Sequence, residues 1–174
     1  MKRRGFTIVE LIITITIMGI LLALAVVNVN ATQEKARDDE RRTDIESIAN
    51  ALESFYTTGT DASSNFARYP TTGLMDSYTS VRNNLRDIDD KSMLAPGTTD
   101  VMASFVKSTN TGSAPNIQTV AGVLPQPTKD QYVYQPIKSD GSVCISGNID
   151  CRKFNLYYRL ESDNTVYMVT SKNQ

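Results

Sequence analysis

The sequence predicts an α+β chain in which one long N-terminal α-helix packs on a small C-terminal antiparallel β-sheet, and three observations carry that prediction. From Phe6 to Val29 the sole charge is Glu10, and a helix of that length rises roughly 36 Å, enough to cross a hydrocarbon core of about 30 Å. Next, Ile45, Ile48, Ala49, Leu52, Phe55 and Tyr56 fall at i, i+3, i+4, i+7, i+10 and i+11, the stripe of a helix buried on one side. Finally, Phe154, Leu156, Tyr158 and Leu160 alternate with Asn155, Tyr157, Arg159 and Glu161, the period of a strand with one buried face.

The first element is a single helix from about Phe6 to about Thr57, because no proline occurs before Pro70. Lys2, Arg3 and Arg4 precede the apolar run, so the positive-inside rule leaves the N-terminus in the cytoplasm and sends the bulk of the chain outward. Three fates fit that topology. A secretory signal would be cut downstream, where Ala23-Leu24-Ala25 offers an A-x-A site; a signal anchor would be kept whole; a cut ahead of the apolar run would retain the helix. Glu10 discriminates. A carboxylate carried to the membrane centre costs on the order of 3 kcal/mol, and neither a signal nor a plain anchor has a use for it.

Lys2-Arg3-Arg4-Gly5-Phe6-Thr7-Ile8-Val9-Glu10-Leu11 closely resembles the start of a type IV prepilin. That resemblance implies a leader of residues 1–5, cleavage between Gly5 and Phe6 by a prepilin peptidase that also N-methylates Phe6, and a filament-core helix over 6–29. It further implies that Glu10 pairs with the Phe6 amine of a neighbouring subunit and sets filament registry. Paired burial is the condition under which such a charge is tolerated. The implied architecture is the pilin fold: an amphipathic continuation of the helix over 30–57, an αβ-loop region with a short helix over 58–130, and the sheet with a disulfide region over 131–174. Many pilins carry a proline several residues after the glycine matching Gly19; here Val27 stands near that place.

Glu34 to Arg42 carries charges of both signs and reads as a solvated helix face with pairs such as Asp38 and Arg42. Thr58 to Asn65 is loop by composition. Tyr69-Pro70-Thr71-Thr72-Gly73-Leu74 resembles major pseudopilins of type II secretion. Tyr78, Val81, Leu85 and Ile88 suggest a short helix. Asp87, Asp89 and Asp90 lack the spacing of a calcium loop and read as an acidic turn. Residues 98–127 read as a long variable loop with an apolar island at Val101 to Val106. Tyr132 to Ile137 is a strand whose Pro136 suggests an edge or a strand end, and Val166 to Thr170 completes a hairpin. About four strands are expected, packed on Ile45, Ile48, Leu52 and Phe55.

Composition narrows function. The formal net charge of -1 falls to -4 without the leader, a poor basis for sequence-independent nucleic-acid binding. The sequence has no histidine, which excludes His-based triads and most catalytic zinc sites. No catalytic residue, metal or cofactor is expected. Cys144 and Cys151 lie close together in an exported segment and are expected to be oxidised to a disulfide, worth roughly 2 to 3 kcal/mol in the chain-entropy model. Tyr132, Tyr134, Tyr157 and Tyr158 with Lys138, Lys153 and Arg159 offer a basic-aromatic surface for DNA, but sheet packing accounts for most of those tyrosines.

The resemblance thus implies a membrane-inserted pilin, not an enzyme. It would polymerise with copies of itself into an extracellular filament for adhesion, twitching motility or DNA uptake. The implied partners are a prepilin peptidase, a platform protein and an assembly ATPase. A pseudopilin of type II secretion is the alternative, and a secreted or membrane-anchored monomeric binding module the second.

Overall fold

The computed structural model describes residues 5–59, 66–146 and 150–173, leaving aside the side chains of 26–28; the cationic leader side chains and most of the Thr58 to Asn65 loop lie outside those residues. Helix α1 runs unbroken from Ile8 to Thr58, roughly 76 Å at the α-helical rise. Gly19 does not interrupt it. It ends at Gly59, whose φ of 64° is left-handed and suits glycine, and whose N–H donates to the Phe55 carbonyl at 2.8 Å.

Four strands make one mixed sheet in the order β1-β2-β3-β4: β1 Phe105–Lys107, β2 Tyr132–Lys138, β3 Cys151–Arg159 and β4 Val166–Thr170. The expected hairpin is β3 with β4, Leu156 facing Val169 and Tyr158 facing Tyr167. The α+β class holds, with a parallel pairing of β1 and β2 where only antiparallel pairs were expected. The apolar island read as part of a loop supplies it. Val101–Ser104 forms the one-turn helix α3, N-capped by Asp100, and runs directly into β1. Short helix α2 spans Tyr78–Asn84, placing Val81 in the core with Leu85 and Ile88 just beyond it.

Ile45, Ile48, Leu52 and Phe55 of α1 are buried, as their spacing requires. They share one core with Met93, Phe105, Tyr134, Phe154, Leu156 and Leu160, except Phe55, which is buried beside it. Strands β2 and β3 are buried on both faces rather than one, while β4 stays largely exposed. On the far face Val133 and Tyr157 pack with Val123, and the 108–127 segment closes over them with polar bonds. The Gln135 amide donates to Asn110 Oδ1 at 3.1 Å and the Ile117 carbonyl at 3.0 Å, and the Tyr157 hydroxyl donates to Gln135 Oε1 at 2.9 Å. The buried Gln135 amide and Tyr157 hydroxyl thereby keep partners. Strand β2 is interior, not an edge. Its Pro136 lies past the last β1 pairing at Tyr134, where no ladder N–H is needed, and its carbonyl accepts from Cys144 N–H at 2.9 Å.

Since Leu52 is fully buried between helix and sheet, Leu52→Ala is expected to cost the head about 2 to 5 kcal/mol. Urea denaturation of the detergent-solubilised chain, followed by circular dichroism, measures it.

Candidate functional site

The first half of α1 has no cover in the described structure: every large apolar side chain from Phe6 to Leu24 is more than half exposed. Such a continuous surface far exceeds the patches that soluble monomers show and needs lipid or other subunits around it. Composition and length also make α1 a candidate membrane span. Gly5 and Phe6 lie outside any regular element, and Phe6 is 79% exposed.

At Thr7 the backbone is still extended, φ -83° and ψ 150°, and the residue caps the helix. Glu10 N–H donates to Thr7 Oγ1 at 3.3 Å; in return Thr7 N–H and its hydroxyl donate to Glu10 Oε2 at 3.0 and 2.7 Å. This reciprocal pair is a capping box. It gives the carboxylate two donors within its own chain. Thr14 and Thr16 are also satisfied locally, their hydroxyls donating to the carbonyls of Leu11 and Ile12 at 2.8 and 2.7 Å. Such internal pairing suits a helix with no water around it.

Where the apolar run gives way to the head, the polar zone departs from the expectation of a solvated face. Asp38 and Arg41 are 1% exposed. Asp38 accepts the N–H groups of Glu161 and Ser162 at 2.7 and 3.0 Å, while Arg41 donates to Asp38 at 2.9 Å and to the Lys129 carbonyl at 2.9 Å. Arg37 reaches Glu161 with two bonds, at 2.8 and 2.9 Å. Arg42 pairs with Asp39 at 2.7 Å, not with Asp38. The β3–β4 turn is therefore fastened to α1 by fully partnered charges, the arrangement that makes their burial tolerable. Burial pushes Asp38 up, but the two backbone N–H groups and Arg41 outweigh it and hold the carboxyl below its usual range. The Arg37 bond lowers Glu161.

Asp44 is the exception on this seam. It is buried, its Oδ2 accepts the Tyr132 hydroxyl at 2.8 Å, and Glu40 lies nearby. Desolvation raises its pKa from 3.8 to about 6.

The remaining sequence candidates fall as follows. Cys144 and Cys151 are disulfide-bonded, with Cα atoms 6.0 Å apart. Their carbonyls accept the N–H of Thr72 at 3.1 Å and of Tyr69 at 2.8 Å, so the Tyr69–Gly73 stretch is held along the disulfide-bridged segment. Tyr132, Tyr134 and Tyr157 are fully buried and Tyr158 nearly so, which leaves the supposed DNA surface without rings to stack on bases. Asp89 caps the turn at Asp90–Met93, Asp90 accepts from Tyr78 at 2.5 Å, and Asp87 accepts from Ser54 at 3.3 Å. Each acts locally. Among the described residues no cluster of three potential ligands could hold a metal.

A raised carboxyl pKa means the folded head binds a proton more readily than the unfolded chain, so stability falls as pH rises through about 6. The sequence has no histidine, and burial moves Asp44 of the head into that window. Thermal unfolding of the wild type is expected to gain on the order of 1 kcal/mol from about pH 7 to about pH 5. In Asp44→Asn the gain is expected to vanish.

A family model, Prokaryotic N-terminal methylation motif, matches residues 1–26. The type IV major pilin protein PilA of Myxococcus xanthus is 36% identical over 55 residues, 32% of this chain and 25% of that protein. Type II secretion system core protein G is 39% identical over 54 residues in Escherichia coli, 31% of this chain and 37% of the relative. The same protein of Aeromonas hydrophila is 38% identical over 73 residues, 41% and 46% respectively. The chain thus spans less than half the length of these relatives. No solved structure matches. The methylation motif and these relatives, together with the long helix laid on a small sheet, support the superfamily of type IV pilins and type II secretion pseudopilins for this chain.

Proposed function

We propose that this chain is a structural subunit of a type IV pilus, inserted in the membrane, cut after Gly5, N-methylated on Phe6 and polymerised through the first half of α1. The observation that carries the reading is the uncovered apolar half of an unbroken helix that bears one carboxylate near its start. Moving that helix from lipid into a filament core gains little from the hydrophobic effect, because both surroundings are apolar. Packing between helices and pairing of Glu10 with a neighbour's Phe6 amine supply the preference. In the isolated subunit Glu10 is already bonded to Thr7, so assembly exchanges those bonds for an ion pair in an apolar setting, where it is stronger.

Its partners in this reading are further copies of itself, a prepilin peptidase, a platform protein and an assembly ATPase, and the finished filament is extracellular. The disulfide-bridged C-terminal region accords with a pilin exposed outside the cell. A second reading, a pseudopilin serving type II secretion, is favoured by Tyr69-Pro70-Thr71-Thr72-Gly73-Leu74 and by the relatives that carry that name.

Glu10→Ala is expected to leave cleavage intact, because the Thr7 hydroxyl still caps through the backbone N–H of residue 10, and to deplete surface filaments. Immunoblotting of processed chain alongside sheared fibres checks both. Normal piliation in the mutant would remove the registry role, and fibres recovered only with secretion components would favour the second reading.

A further inference from the structure

We infer that Thr7 is a positioning residue for processing: by capping α1 it holds the Gly5–Phe6 peptide bond outside the helix and open to a peptidase. The inference rests on the cleavage proposed above and adds a residue to it.

The hydrogen-bond pattern carries the argument. For Phe6 to join the helix, its carbonyl would have to accept from Glu10 N–H, four residues on. That N–H is instead directed to Thr7 Oγ1 at 3.3 Å. The first intrahelical bond falls one residue later, from Leu11 N–H to the Thr7 carbonyl at 3.2 Å. Thr7 N–H is meanwhile taken by the Glu10 carboxylate at 3.0 Å. The N–H that would carry the helix back onto Phe6 is therefore occupied by the capping box. The backbone at Thr7 is extended, Phe6 is exposed, and a Cβ placed on Gly5 would meet nothing within 4 Å among the described residues. Gly5 itself resists helix formation.

Extended, exposed backbone is the form in which peptide substrates are taken along a binding groove. Hydrolysis there breaks the C–N bond between Gly5 and Phe6. The hydroxyl of water passes to the Gly5 carbonyl carbon, leaving a carboxylate, and the amine is released on Phe6, with water as the co-reactant. A chain whose helix has grown back over Phe6 must first unwind. Its apparent affinity then falls in proportion to the extended fraction while turnover of the bound complex is unchanged.

The test uses the full chain in detergent with a purified prepilin peptidase, comparing wild type with Thr7→Val, Thr7→Ser and Thr7→Asn. Valine keeps the shape of threonine and loses the cap; serine and asparagine change the shape and keep it. The expected result is about a fivefold fall in kcat/KM for Thr7→Val, all of it in KM, with Thr7→Ser and Thr7→Asn within about twofold of wild type. Thr7→Val cut as fast as wild type, or Thr7→Asn cut as slowly as Thr7→Val, would overturn the inference, the latter because the peptidase would then be reading side-chain shape. Wild type left uncut after Gly5 overturns the processing proposal and this inference with it. Wild type cut normally together with an equally fast Thr7→Val overturns this inference alone.

Discussion

Ile48 and Leu52 are wholly buried while Ile12 and Ile13, on the same unbroken helix, are more than half exposed, and the rest of the structure answers to that asymmetry. One half of α1 is the central rod of a small head, supplying apolar surface that the sheet and the 66–127 segment are too short to provide among themselves. The other half offers an equally apolar surface that its own chain never covers. In the function proposed above, such a helix passes between two apolar media, lipid before assembly and the helices of other subunits after it.

Keeping one helix in two media puts a premium on how its polar groups are paired at both ends of the uncovered stretch. At the start, Thr7 and Glu10 satisfy one another. At the far end, Asp38 and Arg41 are buried against the β3–β4 turn with backbone partners of their own, and Arg37 binds Glu161 from the rim. The head is thereby fastened where the helix enters it. Farther along, Glu53 takes the Tyr69 hydroxyl at 2.9 Å and the Lys172 N–H at 2.8 Å, tying both the Tyr-Pro stretch and the C-terminal tail to the same rod. The disulfide holds the opposite side of that stretch.

The helix, its buried stripe and the β3–β4 hairpin were legible because each is written as a period in the sequence, 3.6 for Ile45 to Tyr56 and 2 for Phe154 to Leu160. The Asp38 and Arg41 fastening was not read, although its position was available: carried backward, the stripe of Phe55, Leu52, Ile48 and Ile45 lands on Arg41 and Asp38. Residue type argued for solvent and residue spacing for burial, and spacing prevailed because the β3–β4 turn brings backbone N–H groups and Glu161 from more than a hundred positions away. Strand β1 escaped for a related reason. Three residues carry no period, and their parallel pairing with β2 is a long-range contact. Of the proposed site, Gly5, Phe6 and Glu10 were named from local order alone, and the structure leaves all three exposed at the start of α1. The reciprocal bonding of Glu10 with Thr7 was visible as a Thr-x-x-Glu spacing, but the pairing drawn from family likeness looked outward to another subunit instead.

The central claim is that the apolar half of α1 is retained and packed among copies of itself. It is tested most directly by the intact mass and N-terminal peptide map of material sheared from the surface of the native host. The account predicts a chain that begins at N-methylated Phe6 and is recovered from fibres. A chain beginning at Val26, or one beginning at Met1 and confined to membranes, would contradict it.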